Sequence, residues 1–523
     1  MKDSHYKKRK MKLKIILILM LIGIDSFAQA NKEIPANRVL SNSELGNYLK
    51  SSTQLKKASE AELASYFRKV FAERFFYNWE TRSKRFNEYK ELYNNESKHT
   101  NRANAHMDKY PDVTRWKLPF NYQNGKPVNA YALRHLARQH KMVDIAFMYH
   151  YSNKDPKYIT YFVNQLKSLN EALHNNSFET MDSGNGVYEA FRAGYRSLNW
   201  LQIHSLFLGE TAYSDADQLT TIATLLQHGA DLYANNAKFK SGNHQTRGVS
   251  ALAMLSIIFR DFEGTDLWYA RAMERLTEHL NNEINPDGFQ FERTVHYHMS
   301  DIGNYFYVYQ LAKISKIEID KVWEQKLKTL FTTLTKIACP NKKTPVLQDD
   351  TDIPWAEQND ISGTMTLGYL LFEEPEFGYF AKNKVASKMY WFLQQEQLNL
   401  LNPINVKQPT YGSLHYPDTG YYIMREGWRK NDKMMIVSAG LDDKKPDHQH
   451  ADMLGIQAVA NNQVILPNYQ VRYSLKDFDL FKNSMVKNVA LVDNELQGKQ
   501  WTSNKGGSGF GKFKKLPLSL IHI

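Results

Sequence analysis

From Ala58 to Gln397, apolar residues recur at three- and four-residue spacing almost without a break, which commits most of the chain to helices. Segments such as "AELASYFRKVFAERFFYNW", "YALRHLARQHKMVDIAFMYHY" and "VYEAFRAGYRSLNWLQIHSLFL" each carry an apolar stripe that only a neighbouring helix can cover. About ten helices with short connections predict stacked helical hairpins, closed as a toroid or open as a solenoid. No fixed-period repeat is visible, which favours the toroid. Around Leu401 the texture changes. A turn-rich stretch, "NPINVKQPTYGSLHYPDTG", leads into the strand-type runs "GYYIMREGW", "KMMIVSAGL", "MLGIQAVA" and "QVILPNY", the last two flanking a hairpin turn at Asn461-Asn462. The expected fold class is α+β multidomain: an N-terminal (α/α) toroid over 31–405, then an antiparallel β-sandwich domain over 406–523. About four to six strands are few for a closed sandwich, and the apolar ending "LPLSLIHI" reads as foreign to it. The β-domain is therefore expected to be truncated.

Residues 1–30 read as a cleavable secretory signal: a basic stretch, the apolar run "IILILMLIGI", and small residues closing at Ala28 to Ala30. The run is about half the ~20 residues a membrane span requires. Met11 opens a cleaner version of the same signal, so Met1 and Met11 are alternative starts. The expected location is the bacterial periplasm or the exterior, with no membrane span. The formal charge of +12 falls to +7 beyond residue 30, where 60 Lys/Arg face 53 Asp/Glu. That excess suits a polyanionic partner without naming one. The single cysteine, Cys339, excludes an internal disulfide framework and cysteine-rich zinc modules.

Three places combine residue types that can do chemistry. In "KSGNHQTRGVSALAML", Asn243 and His244 sit at or just before a helix N-terminus, where unpaired N–H groups and the helix dipole favour an anion. Ordinary capping would place an asparagine there as well. In "NPDGFQFERTVHYHMSDIGNY", Tyr297 opens a helix and would share a face with Ser300, Asp301 and Asn304. A tyrosine on such a face can serve as general base and acid; a buried aromatic with a satisfied hydroxyl is the plainer alternative. In "DDKKPDHQHADMLGIQAVANN", His448 and His450 precede a strand in which residues two apart face one side. The match to an HxHxD metal string lacks the further histidines such a site needs. The acidic loop of Asp349, Asp350 and Asp352 reads as solvated. No GxSxG elbow, Walker loop, dinucleotide fingerprint or HExxH helix is present.

In this order, with "YALRHLARQ", "YRSLNW", "SGNHQ", "DGFQFERTVHYH", "DTGYYIMREGW" and "DHQHADML", the chain resembles a heparinase II/III-type polysaccharide lyase from about residue 110 to 500. The resemblance implies a toroid followed by antiparallel sheets, a cleft between them, and β-elimination on a uronic-acid polysaccharide, with a glycosaminoglycan (heparan sulfate, hyaluronan or chondroitin) favoured over alginate. By similarity, Asn243 and His244 offset the substrate carboxylate, while Tyr297 and His448 act as base and acid. Relatives often hold a metal, usually zinc, through the second histidine of HxH, an aspartate and a later histidine. Here His450 matches the first, but Asn468 and Lys487 stand where the other two are usual. No cofactor is therefore expected, with zinc or calcium left as a weak possibility on His450 and the Lys487 ammonium as a stand-in for the metal charge.

Arg192, Arg196, Arg247 and Arg293 are the candidate substrate-binding cations. No nucleic-acid partner is expected, and oligomeric state is not legible. Two other classes stay open: a non-catalytic glycan-binding protein, and a toroid glycoside hydrolase, which would need a pair of carboxylic acids flanking the bond.

Overall fold

The computed structural model describes residues 32–119, 123–125, 128, 131–180, 186–439, 448–472, 475–476 and 478–497. The leader and the apolar tail read above lie outside these residues. The helical part comprises α1 (Glu60–Arg74), α2 (Arg82–Tyr93), α3 (Glu96–Met107), α4 (Tyr131–Arg138), α5 (Met142–Tyr151), α6 (Lys157–His174), α7 (Ala190–Phe207), α8 (Asp215–Asn235), α9 (Asn243–Ile258), α10 (Thr265–Asn282), α11 (Val295–Ile314), α12 (Lys321–Ile337), α13 (Ser362–Phe372), α14 (Pro375–Phe380) and α15 (Gln395–Asn399). Among these described residues no helix is long and apolar enough to cross a membrane.

Helix α9 is the hub. It packs against α7, α8, α10 and α11, and every residue from Gln245 to Ile258 is buried. A helix enclosed on all sides needs small residues where neighbours come closest. A Cβ added at Gly194 of α7 would lie 2.7 Å from the Arg247 carbonyl oxygen of α9, and one at Gly248 would lie 2.8 Å from the Ala190 Cβ. These two glycines let α7 and α9 meet backbone to backbone, which brings Glu189 and Phe191 beside the first turn of α9.

After a two-residue pairing of β1 (Thr344–Pro345) with β2 (Gln358–Asn359), five strands form one antiparallel meander: β3 (Leu414–Tyr416), β4 (Tyr421–Arg425), β5 (Met434–Ser438), β6 (Gly455–Ala460) and β7 (Gln463–Leu466). Asn461 and Asn462 both take left-handed φ, 51° and 60°, as a tight hairpin turn between twisted strands requires. Strand β3 falls in a stretch read from sequence as turn only. The sandwich expected from sequence is represented among the described residues by this single sheet. Burial declines from β4 and β5 toward the edge strand β7, whose residues alternate between exposed and partly buried.

The sheet is fastened to the helical part at its buried end. Tyr421 donates its hydroxyl to the Arg293 carbonyl at 2.8 Å, and Arg425 donates to the carbonyls of Lys336 and Ala338 at 2.7 and 2.8 Å. Asp287 accepts the backbone N–H groups of Asp418 and Thr419 at 2.9 and 2.7 Å. These bonds run to the loop just ahead of α11 and to the end of α12, and His448, ahead of β6, lies beside the start of α11.

Candidate active site

A cavity of about 1300 Å³ opens where these parts meet, and Asn243, His244, Tyr297 and His448 all line it. Each is held from behind. Gly242, at φ 108°, is the N-cap of α9, a conformation that favours glycine. The buried Glu283 carboxylate accepts the Gly242 N–H at 2.6 Å and the Ser241 hydroxyl at 2.7 Å, and is itself tied to His279 Nδ1 at 2.7 Å. No side chain caps α9. Its first N–H groups, those of Asn243 and His244, donate to no protein acceptor among the described residues, so the positive end of the helix faces the cavity.

The His244 ring stacks on Phe191 at 4.6 Å, and its Nδ1 lies 3.0 Å from Glu189 Oε1. Burial would raise the Glu189 carboxyl, but the bond and charge of His244 and the charge of Arg192 outweigh it and hold the group below its usual value.

Tyr297 is set by its helix start. Thr294, the N-cap of α11, accepts the Tyr297 N–H on its hydroxyl at 2.8 Å, and Asp350 accepts the His296 N–H at 2.7 Å. The Tyr297 ring then lies 4.6 Å from the His448 ring, tilted by 42°. His448 Nδ1 is 3.0 Å from Asp349 Oδ2, a carboxylate oxygen that can only accept, so Nδ1 is the donor and the ring is fixed in place. The other oxygen of Asp349 receives His450 Nε2 at 2.7 Å, and Lys482 Nζ approaches the carboxylate at 2.8 Å. Asp349 is 1% exposed. Burial alone would raise its carboxyl; the hydrogen bonds of the two histidines and the charges of His450 and Lys482 hold it well below the usual range instead. Gln348, in the left-handed region at φ 53°, completes the support: its amide oxygen accepts the His450 N–H at 2.6 Å and its amide nitrogen reaches Asp452 at 3.1 Å.

Several expectations need correction. The loop of Asp349, Asp350 and Asp352 is not a solvated turn: Asp349 and Asp350 are buried, Asp349 because His448, His450 and Lys482 converge on it, and Asp350 because the N–H groups of Leu347 and His296 and the Asn359 amide donate to it. His448 and His450 share a partner without lying in a strand, since β6 begins only at Gly455. Tyr297 does not share its surroundings with Ser300, Asp301 and Asn304. Asp301 is buried, and the other two line a separate cavity.

None of the four candidate arginines lines this cavity, although Arg247 borders a separate one. Arg192, Arg196, Arg247 and Arg293 are each at most 2% exposed. Arg192 pairs with Glu189. Arg196 donates to the carbonyls of Ala137 and Val187, both at 2.8 Å. Arg247 is held between the rings of Tyr195 and Tyr307 and bonds Ser250, and Arg293 lies on Tyr421 and reaches Ser438. A guanidinium offers five donors and a flat apolar face, so interior carbonyls and rings can absorb it fully.

The residues at the expected metal position do not fit a cation. Asn468 Oδ1 accepts the Lys487 ammonium at 2.8 Å, and its amide nitrogen is bonded to the Val346 carbonyl at 3.1 Å. Burial and the neighbouring charge of Lys487 push the His450 imidazole down to about 4, and its Nδ1 is buried without a hydrogen-bond partner. A positive charge already stands among the three candidate ligands. Among the described residues no group of three acidic, histidine or cysteine side chains is placed to hold a metal.

Sequence reasoning missed Glu189, Glu283 and Lys482, for which no local signal exists. Asp349 had one: two adjacent aspartates follow the apolar run "TPVL", and they close a stretch buried from 344 to 350.

The fold agrees with the comparisons. Residues 40–366, more than half of the chain, match the family described as heparinase II/III N-terminus, and the chain belongs to that family. A heparin-sulfate lyase of Pedobacter heparinus is 22% identical over 297 residues, covering 56% of this chain and 41% of that protein. A heparin-sulfate lyase of Bacteroides thetaiotaomicron is 20% identical over 326 residues, covering 62% and 44%. The chain thus spans less than half the length of these curated relatives. A heparinase III structure superimposes with a TM-score of 0.61 at 16% identity, covering 87% of this chain and 71% of that one. Heparan sulfate lyase HepC from Pedobacter heparinus gives 0.52 at 18% identity, covering 72% and 56%. Both show a shared fold.

Proposed function

We propose that this protein is an exported polysaccharide lyase that cleaves a uronate-containing glycosaminoglycan by β-elimination. The observation that carries the reading is the convergence on one cavity of an uncapped helix N-terminus at Asn243, the Tyr297 hydroxyl-bearing ring and the Asp349-held His448. The proton α to a uronate carboxylate is weakly acidic while the carboxylate keeps its charge. Asn243, His244 and the first N–H groups of α9 would offset that charge, so that electron density from the breaking C5–H bond can move toward the carboxyl group. Tyr297 and His448 form the proton-transfer pair. The C5–H electrons become the C4–C5 double bond, the C4–O bond breaks, and the departing oxygen takes a proton. In this reading the helices close as a toroid over 31–405, the sheet is one face of a sandwich over 406–523, and residues 1–30 direct the chain to the periplasm.

The test is ultraviolet absorbance during incubation with heparan sulfate, hyaluronan, chondroitin sulfate and alginate. Elimination leaves a double bond conjugated to the uronate carboxylate. A rise on one polymer supports the lyase and names its substrate; new reducing ends without absorbance make it a hydrolase; binding without turnover makes it a glycan-binding protein. We also propose that the chemistry needs no metal, with the Lys487 ammonium supplying positive charge near His450. A strong chelator is then expected to leave the rate unchanged. Stoichiometric zinc in the purified protein, with activity lost on its removal, would overturn this.

A further inference from the structure

Residues that this mechanism leaves unused gather in a second cavity of about 720 Å³, lined by α3, α5, α7, α11 and α13 and by residues 386–389. Two helices run from the first cavity to the second. On α11, Tyr297 lines the first, while Ser300, Asn304 and Tyr307 line the second. On α7, an aromatic stripe makes the same passage. Phe191 stacks on His244 at 4.6 Å and meets Tyr195 edge-on at 4.8 Å, and Tyr195 meets the His140 ring at 4.6 Å inside the second cavity. The two cavities are therefore consecutive along one wall, about 10 Å of helix rise separating Tyr297 from Asn304.

The charge of the second cavity is unbalanced. Of its two acids, Asp144 is held by His99 and Arg102, both at 2.7 Å, and Asp360 by Lys382 at 2.7 Å. Lys98 and Lys388 are exposed at its mouth, and neither makes an ion pair or hydrogen bond among the described residues. Burial first, then the charges of Arg138, His135, Arg102 and Lys388, push the His140 imidazole down to about 3.

Resting on the reading that the first cavity takes an anionic glycan, we propose that the second cavity is a binding subsite for the part of the chain beyond the reacting sugar. Tyr195 and His140 form its stacking wall, and Lys98 and Lys388 pair with its carboxylate or sulfate groups. Rings that cover the apolar face of a sugar, with exposed cations at the rim for its anionic substituents, match this ligand on both its surfaces.

The experiment compares wild type with the double variant Lys98→Glu/Lys388→Glu in binding size-defined heparan sulfate oligosaccharides, a tetrasaccharide and a dodecasaccharide, by calorimetry at two salt concentrations. Both positions are exposed and unpaired, so the fold is expected to survive, and a melting curve checks it. The ratio of long-chain to short-chain affinity is expected to fall about tenfold, with a weaker salt dependence for the long chain. An unchanged ratio sinks the subsite alone. Failure of wild type to bind either length sinks the reading of the first cavity, and the subsite with it.

Discussion

Replacing Tyr297 by phenylalanine is expected to abolish turnover while leaving the glycan bound. The change removes one oxygen. The ring keeps its place 4.6 Å from His448, and the backbone N–H still caps on Thr294, so the start of α11 does not move. Loss of a positioned proton-transfer group costs about 10²–10⁴ in rate. The check is the initial rate of absorbance increase beside the dissociation constant for the same polymer. A two- to threefold loss of rate would remove Tyr297 from the chemistry. A parallel loss of binding would make it a contact residue.

Asp349→Ala is expected to lose both activity and stability. The carboxylate receives His448, His450 and Lys482 at 3.0, 2.7 and 2.8 Å inside the protein, and the truncation leaves an ammonium and two imidazoles facing a void. Removing one partner of a buried charged cluster costs about 3–5 kcal/mol. Asp349→Asn separates the two effects, since it keeps the shape and one acceptor oxygen but removes the charge. Because the folded carboxyl lies below its ordinary value of 3.8, its contribution is present above that pH and is lost as pH falls through the lower folded value. The acid limb of stability is therefore expected to be shallower in Asp349→Asn than in wild type. Thermal melts from pH 5 down to pH 2 measure this, since the loss falls below the ordinary carboxyl value. Identical acid limbs would show that the carboxylate is not the charged hub.

The elements that were legible in the sequence are those set by neighbours a few residues apart. The three- and four-residue spacing up to Gln397 marks the helices, and the short strand-type runs after Leu401 mark four strands of the meander. Asn461-Asn462 read as a turn because few other residues take left-handed φ at two successive positions. The start of α9 at Asn243 was visible as Ser-Gly-Asn before an apolar run. Strand β3 was hidden because its three residues are paired only through β4, in a segment otherwise rich in turn residues.

Side-chain destinations were not legible in the same way. Arg196 and Arg293 look like surface cations in one dimension, and only the carbonyls and rings supplied by other elements show why they are buried. The same holds for Asp349, whose three partners lie 99 to 133 residues further along the chain. Local sequence by itself determined the order of helices and strands and which residues open α9 and α11, since periodicity and capping act within one or two turns. Only the tertiary structure decided that Tyr297 meets His448, that a buried aspartate holds both histidines, and that four arginines turn inward. The burial of a charge depends on partners that no short window of sequence contains.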